Sequence, residues 1–205
     1  MASPSLPPPS AKRKPPIRTL KVLTWIGALA PLALLGYELL FSFVVDPVEL
    51  IQHRTGTTAL ILLFITLANT PIRRITGLNW MVKFRRPIGL FAFLYSTLHA
   101  FSYFVFDHSL NISEIWEDVV EHPWVLVGFL AFLLLIPLAV TSTGRWIRRM
   151  GGKRWNVLHK LVYPIALLGV LHFYWLVKVD AVEPIIYASI LGALLVLRFV
   201  FRKAS

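Results

Sequence analysis

The chain has 205 residues, 57% of them hydrophobic and only 15% charged, with a formal net charge of +11. A soluble domain of that composition would leave far too much apolar surface in water, so the class is integral membrane protein. Cysteine is absent, which excludes disulfides, thiolate-held iron–sulfur clusters and covalent haem attachment through a C-x-x-C-H motif.

Residues 1–18, "MASPSLPPPSAKRKPPIR", are rich in proline and basic residues and have little to bury. They read as a disordered tail preceding a single membrane domain over 19–205. The apolar run that follows is full-length and shows no small-residue cleavage site after a short core, so a secretory signal does not fit. A span needs about 20 apolar residues. Six segments come near that length, at roughly 22–45, 55–71, 87–106, 123–142, 157–178 and 184–201, so the expected fold is all-α, a compact six-helix transmembrane bundle.

Loop charge orients the bundle. Nineteen of the 21 basic residues fall on one side: in the tail, in the segments holding Arg73 to Arg86 and Arg145 to Lys160, and at Arg198, Arg202 and Lys203. The other side has only Arg54 and Lys178, together with nine of the ten acids. The positive-inside rule then places both termini in the cytoplasm. The positive charge is explained by topology and by the membrane lipid surface, and nucleic acid is not an expected partner. On the outer side, Ile112, Ile115, Trp116, Val119 and Val120 recur at helical spacing between acids. This predicts a short amphipathic helix lying along the membrane surface, with docking of an outer partner as the alternative.

The tenth acid, Glu38, lies inside the first span, and three histidines, His99, His159 and His172, lie inside the third and fifth. Ionisable groups at membrane depth are costly and mark functional sites. His53, His108 and His122 fall in outer loops or at span edges, where water solvates them. Spans three and five run in the same direction, so depths compare directly. His99 precedes Asp107 by eight residues and His172 precedes Lys178 by six, offsets that differ by only about 3 Å. Two imidazoles at one level on different helices suit the axial positions of a b-type haem. Zinc would want three or four protein ligands, and no acid is at that depth. His159 lies thirteen residues before His172, about 20 Å lower on the same helix. The two cannot share one ion, and Pro164 between them is positioned to kink the helix. His159 therefore marks a second, cytoplasm-facing site. Its partner is not visible, since the position fourteen before His99 is Arg85.

Several stretches carry a resemblance: "RRPIGLFAFLYSTLHAFSY" (85–103), "LLLIPLAVTST" (133–143), "RWNVLHKLVYPIALLGVLHFYWLVKVDAVEP" (154–184) and the "TPIRRITG" turn (70–77). With these the chain resembles the MsrQ/YedZ family, the haem-binding membrane subunits of the bacterial methionine sulfoxide reductase system, within the wider ferric-reductase-like transmembrane group. The resemblance implies that His99, His159 and His172 are haem-linked, with one or two b-type haems per chain. It also implies an inner-membrane location, electrons arriving from a quinone or a cytoplasmic flavin reductase, and delivery to a periplasmic molybdenum-cofactor catalytic subunit that reduces methionine sulfoxide. FMN is associated with the family, though no flavin motif is visible. Where the family tends to have a basic-Pro-Tyr pattern before span four, this chain has "EHPW" (121–124). Two other readings compete: a proton- or ion-coupled transporter using the buried histidines and Glu38, for which no inverted repeat is seen, and a ferric reductase, for which no flavin and nicotinamide domain is encoded.

Overall fold

The computed structural model describes residues 16–177 and 181–203. The first fifteen residues of the expected tail lie outside this range, as do Lys178 and Asp180. Helix α1 already begins at Ile17, so Ile17 and Arg18 belong to the first span rather than the tail. No strand occurs among the described residues. Six helical segments are long and apolar enough to cross a membrane: Ile17–Phe41, Pro47–Thr76, Asn79–Asp107, Pro123–Val140, Gly152–Leu176 and Val182–Val200. The chain is a multi-pass membrane protein.

Helix α2 (Pro47–Thr76) starts eight residues earlier than hydropathy suggests, because its first turns are polar. Local chemistry fixes that start. Asp46 caps the helix by accepting from the Glu49 N–H at 2.9 Å, and Pro47 occupies the first turn, where a missing N–H costs nothing. The helix ends at Gly77, whose φ of +70° is left-handed backbone suited to glycine. Asn69, buried in α2, donates to the Met81 carbonyl at 2.8 Å and ties down the turn that leads into α3 (Val82–Ser102).

Helix α1 is held against α3 by an inserted side chain. The Tyr95 hydroxyl donates to the Ala28 carbonyl at 2.7 Å and accepts from the Leu32 N–H at 3.1 Å. Those two backbone groups would close one helical turn around Pro31, and a side chain entering the ladder there is a recognised cause of helix bending.

Past α3 the chain continues as a wider π turn over Tyr103–Asp107, a feature often found beside functional sites. It then reverses through Ser109 and Leu110, both with left-handed backbone. Helix α4 (Ile112–Glu121) is the predicted surface helix. Val119 is buried against the bundle, while Ile112, Trp116 and Val120 form an exposed apolar stripe. Helices α5 (Pro123–Val140), α6 (Gly144–Met150) and α7 (Gly152–Leu158) follow, then α8 (Val162–Leu176) and α9 (Val182–Lys203). The fifth span is not one continuous helix, because a tighter 3-10 turn over His159–Leu161 separates α7 from α8. Pro164 accounts for it: proline has no N–H for the Lys160 carbonyl, and its ring crowds that oxygen.

Packing places α2, α3, α5 and α8 at the centre, with α1 lying on α2 and α3 and α9 on α2 and α8. The core cluster runs through Leu63, Phe91, Ala92, Tyr95, Ile165, Ala166 and Val170. Outward-facing Trp25, Leu34, Phe41, Leu167 and Val196 stay exposed, as a surface solvated by lipid requires.

Candidate functional site

The four central helices enclose a cavity of about 720 Å³ whose lining is mostly apolar, within the range typical of cofactor sites. His99 of α3 and His172 of α8 both line it. Their ring centroids are 6.1 Å apart and the ring planes cross at 77°. The depth match expected for these two residues is therefore realised across two helices.

Each ring is fixed in the same way. His99 Nδ1–H donates to the Gln52 carbonyl at 3.0 Å, and His172 Nδ1–H donates to the Trp124 carbonyl at 2.7 Å. In both cases the residue four positions further along the accepting helix is glycine: Gly56 after Gln52, Gly128 after Trp124. The coincidence has a steric cause. A helical side chain leans back toward the preceding turn and covers the carbonyl four residues earlier. Glycine leaves that carbonyl open to a second donor. A Cβ at Gly56 would stand 3.1 Å from His99 Nδ1, and one at Gly128 would stand 2.6 Å from His172 Nδ1. Each imidazole thus occupies a notch that any side chain would fill.

With Nδ1 bound to backbone, Nε2 remains on each ring as a metal-donor atom, the arrangement in which an outer hydrogen bond sets tautomer and ring orientation. No group of three or more His, Cys, Asp or Glu among the described residues is placed to hold a metal ion. Two imidazoles without further protein ligands suit an ion whose remaining ligands come from a planar macrocycle.

His159 is elsewhere, and differently engaged. Thr141 gives its hydroxyl proton to the Pro137 carbonyl at 2.6 Å, so at 3.1 Å it is His159 Nε2–H that donates to Thr141 Oγ1. Trp155 stacks on the ring at 3.9 Å between centroids and donates Nε1–H to the Thr141 carbonyl at 2.9 Å. No second histidine lies opposite. Arg85 is the residue of α3 within electrostatic reach of it.

The other histidines sit toward the outer end. His53 belongs to α2 rather than to a loop; it is exposed, lies 3.6 Å from Glu183 and lines the cavity mouth. His108 Nε2 lies 3.4 Å from Asp118 Oδ2, and His122 Nδ1 lies 2.7 Å from Asp118 Oδ1. The same carboxylate accepts from the Tyr103 hydroxyl, and Gln52 Nε2–H donates to Asp107 at 2.8 Å. Asp118 so fastens α4 over the mouth of the cavity. Glu38 is paired: Arg54 Nη2–H donates to its Oε1 at 2.6 Å, joining α1 to α2.

Hydropathy and histidine depth did not point to Gly56, Gly128, Arg54 or Asp118. For the glycines the one available signal was a lone glycine inside a span, at the level of a histidine on another span. Arg54 and Asp118 carried none, since their partners are set by tertiary packing.

A family model described as "Ferric reductase like transmembrane component" matches residues 55–170. A protein of Xanthomonas axonopodis pv. citri (strain 306) named protein-methionine-sulfoxide reductase heme-binding subunit MsrQ is 46% identical over 202 residues, covering 95% of this chain and 92% of its own length. A protein of the same name from Herminiimonas arsenicoxydans is 44% identical over 187 residues, or 90% of this chain and 86% of its own. Another, from Xanthomonas oryzae pv. oryzae (strain MAFF 311018), is 46% identical over 192 residues, or 90% and 88%.

Proposed function

Because the chain belongs to the MsrQ family, within the ferric-reductase-like transmembrane group, we propose that it is a b-type cytochrome carrying electrons across the bacterial inner membrane. The observation that carries this reading is the His99–His172 pair, held in two glycine notches over one cavity. The two ring centres stand 6.1 Å apart, and His99 and His172 are the residues that would hold a haem iron. The cavity lining and the outer hydrogen bonds on Nδ1 fit haem held through Nε2 of both rings. Haem so bound supplies one-electron ferric–ferrous chemistry. The side chains position the rings, exclude water and do no substrate chemistry, so the chain is an electron-transfer subunit rather than the enzyme acting on sulfoxide.

Charge distribution supports cytoplasmic termini, and with them a haem in the outer half of the membrane. The acceptor is then a periplasmic molybdenum-cofactor subunit that reduces methionine sulfoxide in envelope proteins, and the donor a quinone or a cytoplasmic flavin reductase. FMN enters this scheme through the family resemblance, on the donor side. His159 stands on the cytoplasmic side as the lower rung of the electron path. To ligate a second iron through Nε2 it would have to give up the Thr141 hydrogen bond and the Trp155 stack, so one haem per chain is the expected stoichiometry. The transporter alternative loses one of its relay candidates, since Glu38 is engaged by Arg54.

The test is purification from haem-replete cells, with absorption spectra before and after dithionite. A Soret band that shifts on reduction is expected, lost in His99→Ala and in His172→Ala but kept in His53→Ala. A colourless protein overturns the reading.

A further inference from the structure

The cavity between the four central helices is polar at one end only. Its deep part is lined by Leu60, Leu63, Ala92, Leu135 and Ile165, and its mouth by Glu49, Gln52, His53, Tyr103, Asp107 and Asp118. A ligand lying in it meets hydrocarbon at one edge and hydrogen-bonding groups at the other. Haem has the same division, with methyl and vinyl groups along one edge and propionate carboxylates along the other. Burying a carboxylate without partners is costly, so the carboxylate edge belongs at the mouth.

Carboxylates at the mouth need donors, and the neighbouring donors are spent. Gln52 Nε2–H donates to Asp107 at 2.8 Å, the Tyr103 hydroxyl donates to Asp118, and the Thr57 hydroxyl donates to the His53 carbonyl at 2.6 Å. Glu49, Asp107 and Asp118 also line the mouth and would repel a further carboxylate. Among the described residues that line the cavity, His53 is the one basic side chain besides His99 and His172. Its Nε2 lies 3.6 Å from Glu183, too far for a hydrogen bond, and both side chains are more than half exposed. The imidazole therefore keeps a donor to offer.

Helix geometry brings that donor to the level of the histidine pair. His53 directly follows Gln52, whose carbonyl holds the His99 ring. A helical side chain leans toward the start of its own helix, which for α2 is the mouth end, where Glu49 lines the opening. The His53 ring packs edge-on against Phe173, with centroids 6.2 Å apart, and Phe173 directly follows His172. His53 thus adjoins the seat of His99 through its own helix and the backbone of His172 through Phe173.

Resting on the haem reading of the cavity, we propose that His53 is a haem-positioning residue: its imidazole N–H donates to a propionate carboxylate at the mouth, and the apolar deep lining receives the opposite edge. Iron ligation does not depend on this contact, so His53 variants keep a Soret band once saturated. What changes is affinity, and the preference for a free carboxylate.

Full-length apoprotein in detergent is titrated with ferric haem and with its dimethyl ester, in which the carboxylates are blocked. His53→Phe removes the donor and keeps a ring against Phe173. Glu183→Gln removes the ionic neighbour and leaves the donor in place; gel filtration checks folding. Wild type should prefer haem over the ester, and His53→Phe should shrink that preference about three- to tenfold while binding the ester as wild type does. Glu183→Gln should keep the wild-type preference. An equal preference in wild type and folded His53→Phe, or the same loss in Glu183→Gln, overturns the contact. Should His53→Phe not fold, wild type that binds haem and ester equally overturns it without the variant. Wild type that binds neither refutes the haem reading itself, so the two failures are told apart.

Discussion

Replacing Gly128 with alanine should release the haem without unfolding the protein. The new Cβ would stand 2.6 Å from His172 Nδ1, 2.8 Å from Cε1 and 3.1 Å from Cγ, where ordinary contact begins at 3.4 Å. The ring must retreat by the difference, 3.4 − 2.6 = 0.8 Å. Its 2.7 Å hydrogen bond to the Trp124 carbonyl does not survive such a shift. Losing that bond costs about 1 kcal/mol, and pressing a methyl group into a filled notch costs about 1–3 kcal/mol more. A total of about 2–4 kcal/mol corresponds to a loss of haem affinity of roughly 30- to several-hundred-fold. At Gly56 the nearest contact is 3.1 Å, so the deficit is 0.3 Å and the His99 ring adjusts more easily. Gly56→Ala should weaken binding several-fold less than Gly128→Ala. Gly36, with nothing within 4 Å, is the neutral control. Alanine is the better helix former by about 1 kcal/mol, so general destabilisation of α5 would not explain the result. Haem titration of the apoprotein, with the low-spin EPR signal as a readout of axial geometry, gives the three affinities. Wild-type affinity in Gly128→Ala, or an equal loss in Gly36→Ala, would refute the notch argument.

Three further outcomes follow from particular contacts. Haemochrome analysis of wild type and His159→Ala should give one haem per chain in both; two in the wild type falling to one in the variant would make His159 a ligand. Tyr95→Phe leaves the Leu32 N–H and the Ala28 carbonyl without their shared hydroxyl, and should lower stability by about 1–3 kcal/mol in a denaturation assay while leaving the haem spectrum unchanged; an unaltered melting curve would mean that α1 recloses its own turn. Arg54→Gln should lower the melting temperature more than Glu38→Gln/Arg54→Gln does, because the single variant strands a carboxylate whose Oε2 is already buried and unpartnered; equal melting temperatures would show the pair to be energetically inert.

The bundle and the pairing of His99 with His172 were legible because both are written in one dimension. Apolar length gives the spans, and a constant rise per residue turns distance from a span end into depth, which is how His99 and His172 come to the same level. Even the break in the fifth span has a local sign in Pro164. Boundaries failed where one helix face is polar for tertiary reasons. The first turns of α2, with Glu49, Gln52 and His53, look like a loop by hydropathy but line the cavity mouth.

What the sequence withheld is lateral: which helix faces which. Depth arithmetic could not show that α2 and α5, rather than the histidines' own helices, present the accepting carbonyls. The two notches nevertheless obey one rule, a carbonyl uncovered by glycine four residues later, and it acts on both sides of the cavity. This symmetry bears on function. Should His99 and His172 hold the haem, these backbone hydrogen bonds would leave the rings little freedom to reorient, which would keep reorganisation small in the one-electron chemistry that group supplies. His159, whose ring hydrogen bond goes to a threonine hydroxyl and whose face is covered by Trp155, has no such backbone seat. The difference in how the rings are held, more than their shared presence in the spans, sets His159 apart from the His99–His172 pair.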